Sequence, residues 1–328
     1  MSTCQRLASF AFAIVLPALQ AEPHCPGNIA SLRLRLVQRS QIIIVPVTIN
    51  HAGPYDFLVD TGTQVTSVDS ALAGELHLKI EGTTELVGVG FRTRPSFAYL
   101  DLLEAGSHAV ANPLVVIQSL GYLHSADPHV RGILGGNFLE RFDVLIDYAH
   151  GILCLDDAKA MESEIRGKHI ELVTPPHPNH GVLLTGLLII PVHLSGIPGR
   201  PLLQLLDSGT NVPLLYDSGK DMTGGFSVST PIRDRGPDGA ERIFAVLPPQ
   251  DMQIGTLTFH QISFVTPAAR RDIPKVEVDG LLPTAIFRSV YISYTGRFVV
   301  LEPGKQKSSG RRSQSTVAET PSHELKPS

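Results

Sequence analysis

One pattern occurs twice along this chain, and it restricts the fold more than any other feature of the sequence. The first occurrence is Ile43-Ile44-Val45-Pro46-Val47-Thr48-Ile49, a turn at His51-Ala52-Gly53-Pro54, then Phe57-Leu58-Val59-Asp60-Thr61-Gly62-Thr63. The second is Leu188-Ile189-Ile190-Pro191-Val192-His193-Leu194, a turn at Gly196-Ile197-Pro198-Gly199, then Leu205-Leu206-Asp207-Ser208-Gly209-Thr210. The later parts correspond in the same order. Leu100 to Ile117, turning at Gly106, matches Met252 to Val265, turning at Gly255. Gly132-Ile133-Leu134-Gly135-Gly136-Asn137 with Ile146-Asp147-Tyr148 matches Gly280-Leu281-Leu282-Pro283-Thr284-Ala285 with Ile292-Ser293-Tyr294. Two similar lobes are expected, residues 28–157 and 182–303, joined by a linker over 158–181 that includes the loop Thr174-Pro175-Pro176-His177-Pro178-Asn179-His180.

Within each copy, short apolar runs alternate with Gly, Pro or Asn turns, and 29 Gly and 25 Pro are dense enough to keep the elements short. Only brief stretches, Ser67 to Leu78 and Asn137 to Arg141, read as helical. The expectation is an all-β chain whose two lobes are compact barrels or sandwiches.

The sharpest feature of each copy is an apolar strand that runs into Asp-(Thr or Ser)-Gly-Thr. A carboxylate in such a place costs several kcal/mol, on the order of 2–7 for a polar group, unless hydrogen bonds or a partner compensate it. The glycine supplies a tight turn and nearby amides, and the hydroxyls of Thr61 and Ser208 are placed to tie the two turns together. If the lobes face one another, Asp60 and Asp207 become neighbours. Two carboxylates that close share one proton, leaving one acid and one base for attack by water on a carbonyl.

With these residues the chain resembles the retropepsin-like aspartic proteases, specifically their bacterial secreted aspartyl-protease group. Phe57 to Thr63 is similar to that family's catalytic loop, and Gly132-Ile133-Leu134-Gly135 with Phe142 to Tyr148 to the segment packed beneath it. The second copy matches through Leu206 to Thr210 and Asp279 to Thr284, so the likeness spans most of residues 40–303. It implies a retropepsin-like acid-protease fold in two tandem lobes and an aspartic endopeptidase. Asp60 and Asp207 would be catalytic, with Thr61, Gly62, Thr63, Ser208, Gly209 and Thr210 in the supporting loops; the resemblance places the hydroxyls of Thr63 and Thr210 within reach of the pair, which predicts a lowered carboxylate pKa and an acidic optimum. It further implies a hairpin over the substrate, for which Gly88, Val89 and Gly90 are the candidates; Arg233 to Gly239 at the same place in the second copy is more charged and less like a flap. Pro283-Thr284 stands where the first copy has Gly135-Gly136, predicting an altered backbone approach beneath Asp207.

Other readings fit the same residues. The aspartates can be buried structural groups in a secreted peptide-binding protein that uses the interlobe cleft without catalysis, or each lobe can pair with its copy in a homodimer rather than within one monomer. The partner expected in the enzyme reading is a peptide or protein substrate, with no cofactor and no metal. With 27 Lys+Arg against 31 Asp+Glu there is no basic footprint for nucleic acid. Residues 1–21, with Arg6 before an apolar run from Leu7 to Leu19, read as a signal peptide too short for a stable membrane span, which predicts a secreted or periplasmic protein. Its removal leaves Cys25 and Cys154, either free or bridged. Residues 304–328 read as a solvated tail. A third Asp-Ser-Gly at Asp217-Ser218-Gly219 lacks a following apolar strand and reads as a helix cap or turn.

Overall fold

The computed structural model describes residues 25–37, 42–88, 91–124, 127–174, 186–216, 231–235, 240–268 and 278–304. The expected signal peptide, the flap candidates Val89 and Gly90, the expected His177–His180 loop, Asp217-Ser218-Gly219 and the expected tail beyond 304 lie outside these residues.

Strand Ile43–Ile49 is apolar almost throughout because both of its faces are covered. Ile43, Val45, Val47 and Ile49 enter the main core with Phe57 and Val59, whereas Ile44 packs with Leu58, Leu120 and Ile133 on the opposite side. Around it a sheet forms in the order His108–Ala111, Leu102–Ala105, Ile43–Ile49, Ala52–Val59, Val130–Leu134, Ser67–Asp69, Leu114–Gln118, Ser96–Tyr99, Gly82–Thr83. A second sheet follows the order Leu257–Ile262, Gln250–Ile254, Ile189–Leu194, Ile197–Asp207, Gly280–Pro283, Leu214–Leu215, Val265–Pro267, Glu241–Val246, Ile232–Arg235. Strand for strand, order and direction agree. Each has its aspartate-bearing strand parallel to the glycine-led strand, and that strand antiparallel to the one after the aspartate loop. The hairpins turn at Gly106 and Gly255, both left-handed with φ of 61° and 55°, where a glycine is strain-free.

A third sheet joins the halves, in the order Ser31–Arg33, Ile152–Asp156, Asp143–Asp147, Phe287–Ser293, Phe298–Pro303, Ile170–Glu171. Three strands precede and three follow its central antiparallel contact, in which Leu145 faces Tyr291. Its edge strand Ile170–Glu171 lies within the segment expected as linker, so part of that segment is ordered sheet. Ile170 and Leu172 are buried in the main core, and the Asp156 carboxylate accepts hydrogen bonds from the amides of Ala158 and Met161. Cys25 and Cys154 are joined by a disulfide that fastens the N-terminal segment to this sheet.

The helical stretches are shorter than the sequence pattern suggests. Ser67–Asp69 is strand, and the helix runs only from Ser70 to Glu75. Two neighbours explain this: Leu114–Gln118 in parallel and Val130–Leu134 in antiparallel recruit the first three residues as sheet. Asp69 then caps the helix, one carboxylate oxygen accepting from the Ala71 amide and the other from the Leu120 amide. The second helix is a single turn, Gly136–Leu139.

Candidate active site

The two Asp-(Thr or Ser)-Gly loops meet where the first two sheets approach each other. Thr61 and Ser208 each hydrogen-bond across the junction twice. The Thr61 amide donates to Ser208 Oγ at 3.0 Å and the Thr61 hydroxyl to the Leu206 carbonyl at 2.9 Å. In the reciprocal pair the Ser208 amide donates to Thr61 Oγ1 at 3.0 Å and its hydroxyl to the Val59 carbonyl at 2.8 Å. Both residues are 2% exposed, so these bonds are made away from competing water.

This clamp brings the aspartates together. A β-carbon added at Gly62 would lie 2.6 Å from Cγ of Asp207, and one at Gly209 2.7 Å from Cγ of Asp60. Only glycine fits at either place. The Gly62 amide donates to Asp60 Oδ1 at 2.8 Å and the Gly209 amide to Asp207 Oδ1 at 2.7 Å, and the two carboxyl groups hydrogen-bond each other. Burial pushes Asp207 well above the usual carboxylate range, and the charge of Asp60 pushes it further. Burial raises Asp60 too, but the Gly62 amide, the bond from Asp207 and the Thr63 amide all pull it back. Two carboxyl groups this close hold a proton between them, the pair titrating as one unit.

Thr63 and Thr210 act differently from the expectation. Their backbone amides, not their hydroxyls, reach the carboxylates, and the Thr210 hydroxyl points to the Val212 carbonyl at 3.4 Å. With burial the leading influence, the pair is raised rather than lowered.

Beneath Asp60 lies a dense polar floor. The amides of Gly136 and Asn137 donate to the carbonyls of Thr63 and Gln64, both at 2.8 Å, and the Gly135 amide to Thr66 Oγ1 at 3.1 Å. Asn137 Oδ1 accepts from the amide and hydroxyl of Thr66, and its Nδ2 donates to the Leu114 carbonyl. The register places Pro213, Pro283 and Ala285 where Thr66, Gly135 and Asn137 stand in the first copy. Hydroxyl, amide proton and carboxamide are all missing there. Even so, Asp207 remains in register beside Pro283 on the parallel strand. The approach under Asp207 thus differs in chemistry, as Pro283-Thr284 predicts, while the loop keeps its place.

Leu86–Gly88 and Phe91–Thr93 form a separate two-stranded ribbon, with Gly88 paired to Phe91 at its tip. In the second sheet the corresponding hairpin is Ile232–Arg235 with Glu241–Val246. Four tyrosines that the loop motifs do not signal feel the charge of the pair. Burial is the first cause of the raised pKa of each; the Asp60 charge adds to it at Tyr122 and, after that of Glu140, at Tyr294, and the Asp207 charge adds to it at Tyr148 and Tyr216. For Tyr148 and Tyr294 the repeat itself is a signal, since they follow the matched runs ending at Ile146-Asp147 and Ile292-Ser293. Among the described residues, no group of three His, Cys, Asp or Glu is placed to hold a metal, and no helix is long and apolar enough to cross a membrane.

An all-β chain with two aspartate loops clasped in this way has the acid-protease fold. Comparison with family models agrees: residues 45–138, which carry the first aspartate loop and the strand beneath it, match the family described as aspartyl protease. Comparison with curated proteins gave no match.

Proposed function

We propose that the chain is an aspartic endopeptidase whose single site is the Asp60–Asp207 dyad between two lobes of one molecule. The observation that carries this reading is the reciprocal packing of each carboxylate on the other loop's glycine, with one shared proton. A water between the carboxyl groups gives a proton to the ionised member of the pair as its oxygen attacks the peptide carbonyl carbon, while the protonated member donates to the carbonyl oxygen, giving a tetrahedral diol. Collapse of the diol breaks the C–N bond: the first carboxyl passes its proton to the leaving nitrogen and a diol hydroxyl returns one to the second, restoring the singly protonated pair. No covalent enzyme intermediate forms, and the general acid and base contribute on the order of 10²–10⁴-fold each.

The ribbon of Leu86–Gly88 with Phe91–Thr93 is the substrate-covering element of this reading, Gly88, Val89 and Gly90 being its flap candidates, and an extended peptide is the substrate class. The match of residues 45–138 to the aspartyl protease family supports the assignment. The Cys25–Cys154 bond supports a secreted or periplasmic location, because such bonds persist in oxidising compartments.

The test is cleavage of a mixed peptide library by the purified protein between pH 3 and 7, beside Asp60→Asn and Asp207→Asn. The expected outcome is cleavage abolished by either substitution, with specific activity independent of protein concentration. Concentration-dependent activity would move the site to a homodimer. A folded wild type that binds peptides, cleaves none and keeps its affinity in Asp60→Asn would replace the enzyme with a peptide-binding protein.

A further inference from the structure

Strand Asp143–Asp147 is followed by Tyr148, and its antiparallel neighbour Phe287–Ser293 by Tyr294, so the two tyrosines occupy equivalent positions at the centre of the joining sheet. Each senses the aspartate of the other lobe, Tyr148 that of Asp207 and Tyr294 that of Asp60. Only one of them has a partner in the loop region. Tyr148 meets Thr284 hydroxyl to hydroxyl at 2.6 Å. Thr284 is fully buried and directly follows Pro283, the residue in register with Asp207. In the first copy the place of Thr284 is taken by Gly136, which has no hydroxyl to offer, and the buried Tyr294 hydroxyl has no hydrogen-bond partner among the described residues.

The asymmetry is complementary. Asp60 rests on the Thr66–Asn137–Gly135 network, which needs no help from Tyr294. Asp207 rests on a turn whose Pro213, Pro283 and Ala285 cannot rebuild that network, and there the interlobe hydroxyl pair is present. We propose that Tyr148 and Thr284 are positioning residues for Asp207, their hydroxyl pair holding the Pro283-Thr284 turn against the second aspartate loop in place of the missing polar floor. The inference rests on the dyad reading above and adds to it the device that keeps the second carboxyl in register with the first. A part-buried hydrogen bond between turns of opposite halves also makes the geometry of Asp207 depend on the halves being docked.

The experiment compares Thr284→Val, Thr284→Ser, Tyr148→Phe and Tyr294→Phe in the full chain. Turnover is read per active site, together with KM and the amide proton shifts of Gly209 and Gly62, which donate to Asp207 and Asp60. Misplacing the second carboxyl without altering the cleft lowers kcat by about tenfold in Thr284→Val and Tyr148→Phe, with KM within about twofold. Thr284→Ser, which keeps the hydroxyl, retains wild-type kcat, as does Tyr294→Phe. The Gly209 amide resonance moves in the two hydroxyl-deleting variants while that of Gly62 stays. Equal kcat in Thr284→Val and Thr284→Ser, or a lower melting temperature with kcat and the Gly209 resonance unchanged, would overturn the proposal. A wild type without Asp60-dependent cleavage removes the catalytic reading instead, and the Gly209 resonance still decides whether the hydroxyl pair sets the second loop.

Discussion

The loops beneath Asp60 and beneath Asp207 occupy equivalent places in two sheets of equal order, yet almost nothing polar is common to their floors. The first is tied by Thr66, Gly135 and Asn137; the second has Pro213, Pro283 and Ala285 at those positions. What the halves do share is the clamp of Thr61 with Ser208 and the amide of Gly62 or Gly209 on the adjoining carboxylate. The difference teaches that equal sheets and one shared clamp hold the carboxylates over floors of unlike chemistry. A lone Pro at position 135 would leave the Thr66 hydroxyl without the amide proton that it accepts.

The largest expected break in the comparison comes from removing the key residue of one floor only. Asn137→Leu strands the Thr66 amide and the Leu114 carbonyl, and should destabilise by about 3 kcal/mol in denaturant melts. The equivalent change on the other side, Ala285→Ser, should stay within about 0.5 kcal/mol. Comparable losses from the two would mean that the floors are not the asymmetric structures described.

The clamp supplies the symmetric control. Thr61→Val and Ser208→Ala each remove two buried hydrogen bonds and should cost nearly the same, about 2 kcal/mol apiece. A twofold disparity in equilibrium unfolding would show that one lobe depends on the clamp more than the other.

The smallest effect is electrostatic. Asp207 is raised in the folded protein, so its share of stability is complete below the unfolded carboxyl value of about 4 and is lost as pH rises through its folded value. Asp207→Asn, which carries no charge, should melt above the wild type at neutral pH, with the gap closing as pH falls below about 4. Asp60→Asn should move in the same direction, because burial raises Asp60 as well. Calorimetry of the two variants across that range is the check, and a gap that widens as pH falls would contradict it.

Much of this was legible from local pattern. Apolar runs broken by glycine and proline mark the strands, and Asp-Thr-Gly and Asp-Ser-Gly mark the two loops, because strand alternation and tight turns are encoded over a few neighbouring residues. Other parts were misjudged for a physical reason. Ser67–Asp69 reads as helix on its own neighbours but becomes strand because Leu114–Gln118 and Val130–Leu134 offer it hydrogen bonds from far along the chain. Thr63 and Thr210 were expected to act through hydroxyls, but the tight turn presents their amides instead.

By itself, then, the sequence determined the strand content, the repeat and which two aspartates terminate equivalent strands. Only the tertiary structure decided that Cys25 bonds Cys154, that Ile170–Glu171 closes the joining sheet, and that Tyr148 finds Thr284 while Tyr294 finds no partner among the described residues. Each of these depends on groups brought together from distant positions, and on how thoroughly they are shielded from water. Residue type and local spacing carry neither quantity.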